Sequence, residues 1–329
     1  MSEATGPAPP EAATGPPRTR PDEPSLQRWI FGGLVLLLAV APFVTYPVFV
    51  MKVMCFGLFA SAFNLLLGYG GLLSFGHAAY FGWGAYVAAV AAKSWGFTPE
   101  LAILAGTLAA GALGAVFGAV AIRRQGIYFA MITLALAQMA YFVALQAPFT
   151  GGEDGIQGVP RGKLFRLLPL DNDYALYGVV VAIFLGGLLA IRRIVHSPFG
   201  QVLRAIRENE QRAISLGYRV GLYRHAVFVM SATLAGLAGS TKVLVFQLAA
   251  LTDVHWTMSG EVVLMTLIGG MGTEFGPLAG ALVVEATEFY LASIGGWIPV
   301  IEGAVFVLCV LGFREGLVGT LAKRLRRTL

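Results

Sequence analysis

The sequence predicts an all-α polytopic membrane fold of about ten transmembrane helices, some broken or re-entrant, with one long polar loop on the cytoplasmic side. Three observations predict it. Apolar blocks near membrane length recur along the whole chain, which is 57% hydrophobic and only 12% charged, about half the charge of a soluble domain. The basic residues gather between those blocks, as positive-inside topology requires. The one long polar stretch, residues 196–223, has helical periodicity and caps rather than the composition of a linker.

The elements follow in order. Residues 1–28 are rich in Pro, Ala, Gly, Thr and Glu and carry no hydrophobic run; they read as a disordered cytoplasmic tail rather than a cleaved signal peptide. Spans are expected at about 29–50, 52–69, 74–93, 99–122, 126–147, 174–193, 225–250, 257–271, 276–294 and 297–313, within a transmembrane domain covering 29–315. Most approach the ~20 residues that cross the hydrocarbon core; the second, eighth and tenth are short. Residues 194–224 form the polar cytoplasmic loop, and 316–329 form a basic cytoplasmic tail. With the N-terminus inside, seventeen Lys and Arg fall on the cytoplasmic side, five (Lys52, Lys93, Arg161, Lys163, Arg166) fall outside, and Lys242 sits within a span. This bias implies an even number of spans and both termini inside. The net charge of +5 is a topology signal of this kind and not a nucleic-acid surface.

Glycine supplies the next layer. Gly114 with Gly118, and Gly276 with Gly280, have the four-residue spacing that lets helices approach closely in lipid. Others interrupt helices: Gly68, Gly70 and Gly71 before Ser74, and Gly269, Gly270 and Gly272 before Gly276-Pro277. Unwound backbone at membrane depth survives only inside protein or along a cavity. The two breaks, with Asn64, Phe75, Gly76 and His77 beside the first, are therefore the candidate translocation pathway. Lys242, Glu261, Glu285, Glu288, Glu302 and Gln138 complete the polar groups within spans, each either functional or a helix-to-helix partner. They form no regular ladder of acids.

The polar loop reads as two short helices. Ser197 caps the first and Pro198 takes its first position. Phe199, Val202, Leu203 and Ile206 then make one apolar stripe, leaving Arg204 and Arg207 toward solvent. Asn209 caps a second helix, 210–216, which Gly217 terminates. A passive solvated loop explains the composition alone, whereas the caps imply a fixed shape and a partner that reads it. On the outer side, Gly151, Gly152, Glu153, Asp154 and Gly155 suit a rim where a delivery protein docks, and equally suit plain turn chemistry. No GxxxxGK[ST] phosphate loop, HExxH or GxSxG motif occurs. Cys55 and Cys309 both lie in apolar blocks, outside any metal-ligand pattern.

Leu66-Leu67-Gly68-Tyr69-Gly70-Gly71-Leu72-Leu73-Ser74-Phe75-Gly76-His77-Ala78-Ala79-Tyr80-Phe81-Gly82, Ser197-Pro198-Phe199-Gly200, Arg204 to Glu210, Ala213 to Gly217, and Leu267 to Thr273 with Gly276-Pro277-Leu278 and Gly280 resemble, in order over about residues 30–315, the branched-chain amino acid ABC importer permeases. The extended N-terminus and the Thr150–Pro160 loop resemble the LivM-type subunit more than its LivH-type paralogue. The resemblance implies a transport subunit of the bacterial inner membrane, not an enzyme. Its partners would be a paralogous permease, two cytoplasmic ABC ATPases and an extracytoplasmic binding protein. It implies no cofactor in this chain, with ATP and Mg on the ATPases. It also makes the 197–217 loop the coupling loop, through Arg207, Glu208, Asn209, Glu210, Ala213, Leu216 and Gly217. Of the EAA-x3-G signature common in ABC permeases, only Ala213 and Gly217 match, with Gln211 and Arg212 where Glu and Ala would stand. Leucine, isoleucine or valine are the expected solutes; the same family includes permeases for urea, short amides and aromatic acids. From another class, a secondary transporter driven by an ion gradient is the rival reading.

Overall fold

The computed structural model describes residues 23–164, 168–313 and 316–324. A helix occupies each expected span: α1 (Glu23–Val44), α2 (Pro47–Asn64, prolonged by a π turn at Leu65–Tyr69), α3 (His77–Lys93), α4 (Pro99–Ala121), α5 (Ile127–Gln146) and α6 (Asp173–Val195). The polar loop then forms α7 (Pro198–Glu208) and α8 (Glu210–Ser215). The bundle resumes with α9 (Val220–Phe246), α10 (Trp256–Gly269), α11 (Gly276–Leu291) and α12 (Ile298–Gly312), and α13 (Gly316–Arg324) closes the described chain. Five helices, Pro47–Tyr69, Pro99–Ala121, Ile127–Gln146, Asp173–Val195 and Val220–Phe246, are long and apolar enough to cross a membrane. The protein is an all-α, multi-pass membrane protein.

Several boundaries move. Helix α1 begins at Glu23, inside the stretch expected to be a disordered tail; residues 1–22 of that tail lie outside the described residues. The second span is not short, because Pro47 at the first helical position starts α2 five residues earlier than expected. Lys52 therefore sits within a helix and not in an outer loop. The basic tail holds α13 up to Arg324, and residues 325–329 lie outside the described residues.

The packing follows from composition. Helix α2 has no polar face, and a helix apolar all round belongs in the interior; from Val53 to Asn64 every residue is buried. Its Phe59 stacks on Phe81 of α3 with ring centroids 4.5 Å apart. Around it, α3 and α4 press on α9 through small residues. A Cβ on Gly84 would lie 2.7 Å from Gly236 Cα, and one on Gly118 would lie 2.8 Å from the Phe228 ring. Gly114 meets Ala232 in the same way, so the 114/118 pair is a close-packing seam. By contrast α5 buries only one stripe, Phe129, Ala130, Thr133, Ala137, Ala140 and Ala144.

Helices α3 and α10 begin inside the bundle rather than at its surface. The Ala78 N–H donates to Ser259 Oγ at 3.0 Å, joining their first turns. The His77 ring reaches Ser231, roughly 17 Å along α9 from its start at 1.5 Å per residue. Connecting segments lead to both starts: residues 70–76, without regular structure, from the side that carries α7 and α8, here called the basic side, and residues 247–255, with a short strand and a 3-10 turn at Leu251–Asp253, from the opposite side. Backbone hydrogen bonds are met locally, as low dielectric demands. Phe75 N–H donates to Thr133 Oγ1 at 3.1 Å and Gly76 N–H to Ser74 Oγ at 3.2 Å.

Candidate functional site

The site is built outward from the polar loop. Ser197 accepts from Gly200 N–H at 3.3 Å with Pro198 at the first helical position, so α7 starts as its sequence predicts. Asn209 breaks the helix in an extended conformation, and its Oδ1 accepts from Arg212 N–H at 2.9 Å to cap α8. Gly217, at φ +87°, closes α8. Its N–H donates to Ile214 O at 2.9 Å and that of Tyr218 to Ala213 O at 3.1 Å, the paired pattern that a left-handed glycine allows.

Tertiary contacts then fix the loop on the bundle. Leu203, Ile206 and Ala213 are buried, and Phe199 stacks on Tyr223 at 5.5 Å. Glu210 forms a fork with Arg224 of α9 (2.9 and 3.0 Å) and accepts from Gln125, in the α4–α5 turn, at 3.0 Å. Glu208, Ile214, Leu216 and Tyr218 are left exposed. The seven residues expected to couple thus divide: Asn209, Glu210, Ala213 and Gly217 hold the shape, while Glu208 and Leu216 lie on its open surface.

Arg207 does something else. Like Arg204 it counts as exposed as a whole residue, but its guanidinium turns inward and Nη1 donates to the Gly68 carbonyl on the π turn. Arg204 lies over the Tyr69 ring, 5.3 Å from its centroid. Gly71, at φ +69°, passes under the Arg207 side chain; a Cβ there would stand 3.1 Å from Arg207 Cγ. One turn earlier, Asn64 reaches the second break. Its Nδ2 donates to Thr273 O at 2.9 Å, and its Oδ1 accepts from Gly272 N–H at 2.8 Å. A Cβ on Gly68 would come within 2.7 Å of Gly272 N, so the two breaks touch. The second break is also tied to α6, since Glu274 lies 3.3 Å from His196 and 3.9 Å from Arg192. Gly316, at φ +75°, sets the start of α13 against Gly270.

The pathway candidates therefore converge, but as a packed node. Asn64, Gly70, Ser74, Gly76, His77, Gly269 and Gly270 are buried; Phe75 and Gly272 are half-buried, and Gly71 is exposed. His77 lies wholly inside. Ser231 gives its hydroxyl proton to Ala62 O, so His77 Nε2, 2.8 Å from Ser231 Oγ, is the donor. The rings of Phe63 and Tyr80 meet it edge-on at 5.0 and 5.6 Å.

On the opposite side, the 151–155 loop is fixed by its own backbone. Gly151, Gly152 and Gly155 adopt positive φ of 79°, 59° and 65°. Thr150 is buried and donates to Ala144 O and Ala147 O. Residues Ile156–Gln157 pair antiparallel with Leu248–Ala249, and Lys93 donates to Gln157 O at 2.6 Å. Glu153 and Asp154 stay exposed at the tip.

Ions within the spans are paired. Lys242 pairs with Asp253 and lies 5.9 Å from the Phe81 and Phe246 rings. Lys52 pairs with Glu285 at 2.8 Å and with Glu288. The side chain of Glu302 lies outside the described residues. Sequence reasoning missed Asp253, Thr133, Ser231, Ser259, Thr273, Glu274 and Gln125. All but Glu274 and Asp253 are uncharged, and only Thr273, at the end of the 267–273 segment, stands in a motif; their roles arise from contacts over 58 residues or more, or from a re-entrant loop that carries no periodicity.

The family model described as branched-chain amino acid transport system / permease component matches residues 48–313. Escherichia coli (strain K12) has a protein named high-affinity branched-chain amino acid transport system permease protein LivM. It is 25% identical to this chain over 277 residues, which is 77% of this chain and 65% of that protein. The protein of the same name from Salmonella typhimurium is 24% identical over the same shares. A probable branched-chain amino acid transport permease protein LivM from Methanocaldococcus jannaschii is 26% identical over 195 residues, 55% of this chain and 53% of that one. The match thus spans 65% or less of the length of these curated relatives. No solved structure matches the chain.

Proposed function

Because this chain belongs to the branched-chain amino acid transport system permease family, whose model matches residues 48–313, we propose that it is one half of the membrane pore of an ATP-driven importer. It carries leucine, isoleucine, valine or a similar small amphipathic solute. The observation that carries the reading is the Arg207–Gly68 contact with the Asn64 clip behind it. Together they make one continuous connection from an exposed, rigidly capped helix to two unwound membrane segments.

The chain hydrolyses nothing; ATP and Mg belong to two ABC ATPases, and a paralogous permease completes the pore. The ATPases grip the open surface of Glu208, Ile214, Leu216 and Tyr218. Glu210, held by Arg224 and Gln125, makes α8 move with α4, α5 and α9 as a body. Arg207 passes the displacement to the π turn, and Asn64 carries it across to residues 272–273. Tightly packed helices shift between discrete arrangements rather than deforming smoothly, and the glycine breaks are where this bundle has backbone freedom to do so. A binding protein docks on the opposite side, at the rigid 151–155 rim. The chain lies in the bacterial inner membrane with both termini and the basic side in the cytoplasm, an orientation that its arginine distribution supports.

The test is uptake of radiolabelled leucine by proteoliposomes holding this chain with its partner permease and ATPases, with and without internal ATP and external binding protein. Uptake requiring both is expected. Uptake by this chain alone, following an ion gradient and indifferent to ATP, would overturn the proposal in favour of a secondary transporter.

A further inference from the structure

The open face of α5 differs from those of α1 and α4. The latter two are what lipid selects: Leu36, Leu37, Val40, Phe43 and Val44 on one, Leu101, Leu104, Leu108, Val116 and Val120 on the other. Face α5 carries exposed Met131, Met139 and Phe142, but among them stands Gln138, half-buried, whose amide bonds to no described residue. It lies roughly 17 Å into the helix at 1.5 Å per residue, so neither surface is near. An unpartnered amide at that depth is costly against hydrocarbon.

The start of α10 extends this face. His255 meets the Tyr141 ring edge-on at 5.2 Å, its Nδ1 lies 2.9 Å from Thr257 Oγ1, and Trp256 and Thr257 are exposed. Toward the opposite side Met139, Phe142, Val143 and Gln146 bound a shallow, open stretch of this face. The same helix is joined to the moving node. Phe75 N–H donates to Thr133 Oγ1 on its buried stripe, and a Cβ on Gly76 would lie 2.7 Å from Thr133 O.

We propose that the α5 face and the first turn of α10 wall the solute's route, with the Gln138 amide as polar contact and Met139, Phe142 and Trp256 as the apolar bed. The chemistry fits a small zwitterion with a hydrocarbon side chain. A primary amide offers an acceptor to an ammonium and donors to a carboxylate, while thioether and aromatic surfaces adapt to branched aliphatic groups. The route is then distinct from the buried glycine node: the node moves, and α5 is what the solute touches. This inference rests on the importer reading above.

The test uses the complete transporter in liposomes, with Cys55→Ala and Cys309→Ala, carrying Gln138→Cys, Phe142→Cys or, as the lipid-side control, Leu104→Cys. The probe is a charged, membrane-impermeant methanethiosulfonate. Labelling of both α5 cysteines, slowed at least fivefold by leucine, with Leu104→Cys silent, is the expected result. Silence at both α5 positions overturns the proposal: the face is then covered by lipid, or by the partner permease if a bifunctional reagent links the two chains there. Labelling that leucine leaves unchanged overturns the solute contact. Wild-type leucine uptake in the same vesicles separates failure of the importer reading from failure of this one.

Discussion

Asn64 is the residue on which the two broken segments depend. Its single amide satisfies a backbone N–H and a backbone carbonyl on the far break, and each group left unpaired in a buried setting costs about 1–3 kcal/mol. Asn64→Ala is expected to cut ATP-dependent uptake at least tenfold while the complex still assembles, measured by transport against co-purification of the partner subunits. Asn64→Asp retains only the acceptor half of the clip and should be almost as poor. Uptake at the wild-type level in both would show that the clip is packing only. The composition of the chain marks Asn64 as a rare polar residue in a span, but its two partners lie 208 and 209 residues away. The sequence therefore flags the residue and hides its task.

Helix α8 shows how an element is shaped by local rules and aimed by distant ones. Asn209 and Gly217 fix where it starts and stops, and Gly217→Pro removes the N–H that closes it. That change is expected to leave ATP hydrolysis running while uptake is lost, read as the ratio of phosphate released to leucine imported. The aim of the helix comes from the Glu210–Arg224 fork. Glu210→Arg should uncouple in the same way, and the exchange Glu210→Arg with Arg224→Glu should recover a substantial part of the coupling. Failure of the exchange to rescue, with the single change harmful, would point to a direct partner contact by Glu210. The caps were legible because capping is written within four residues. The fork was not, since Arg224 reads as one more basic residue of the cytoplasmic loop, with nothing to tie it to Glu210.

Across the whole molecule, the seam of α3 and α4 on α9 sets how the halves of the bundle sit. Gly84 and Gly236 meet backbone to backbone, and lipid offers no hydrophobic drive to compensate for lost contact. Gly236→Leu is expected to disrupt the fold outright, seen as loss of the monodisperse complex in detergent. Gly178→Leu on α6, where a Cβ meets nothing within 4 Å, should be tolerated. Equal behaviour of the two variants would contradict the packing described.

The sequence alone determined what depends on short windows and bulk solvent. The apolar blocks with their arginine bias set an all-α, multi-pass chain, and capping residues set α7 and α8. The glycine runs marked where helices stop. Tertiary structure alone decided which of these features face each other. It turned Arg207 inward, joined Asn64 to Gly272 and Thr273, buried His77 against Ser231, and left α5 open along a face that carries an amide. The reason is physical: caps and hydropathy act through neighbouring residues and the surrounding solvent. The pairing of a buried amide, guanidinium or imidazole is chosen by whatever backbone the fold brings within 3 Å or so, and in these cases that backbone is far away in the chain.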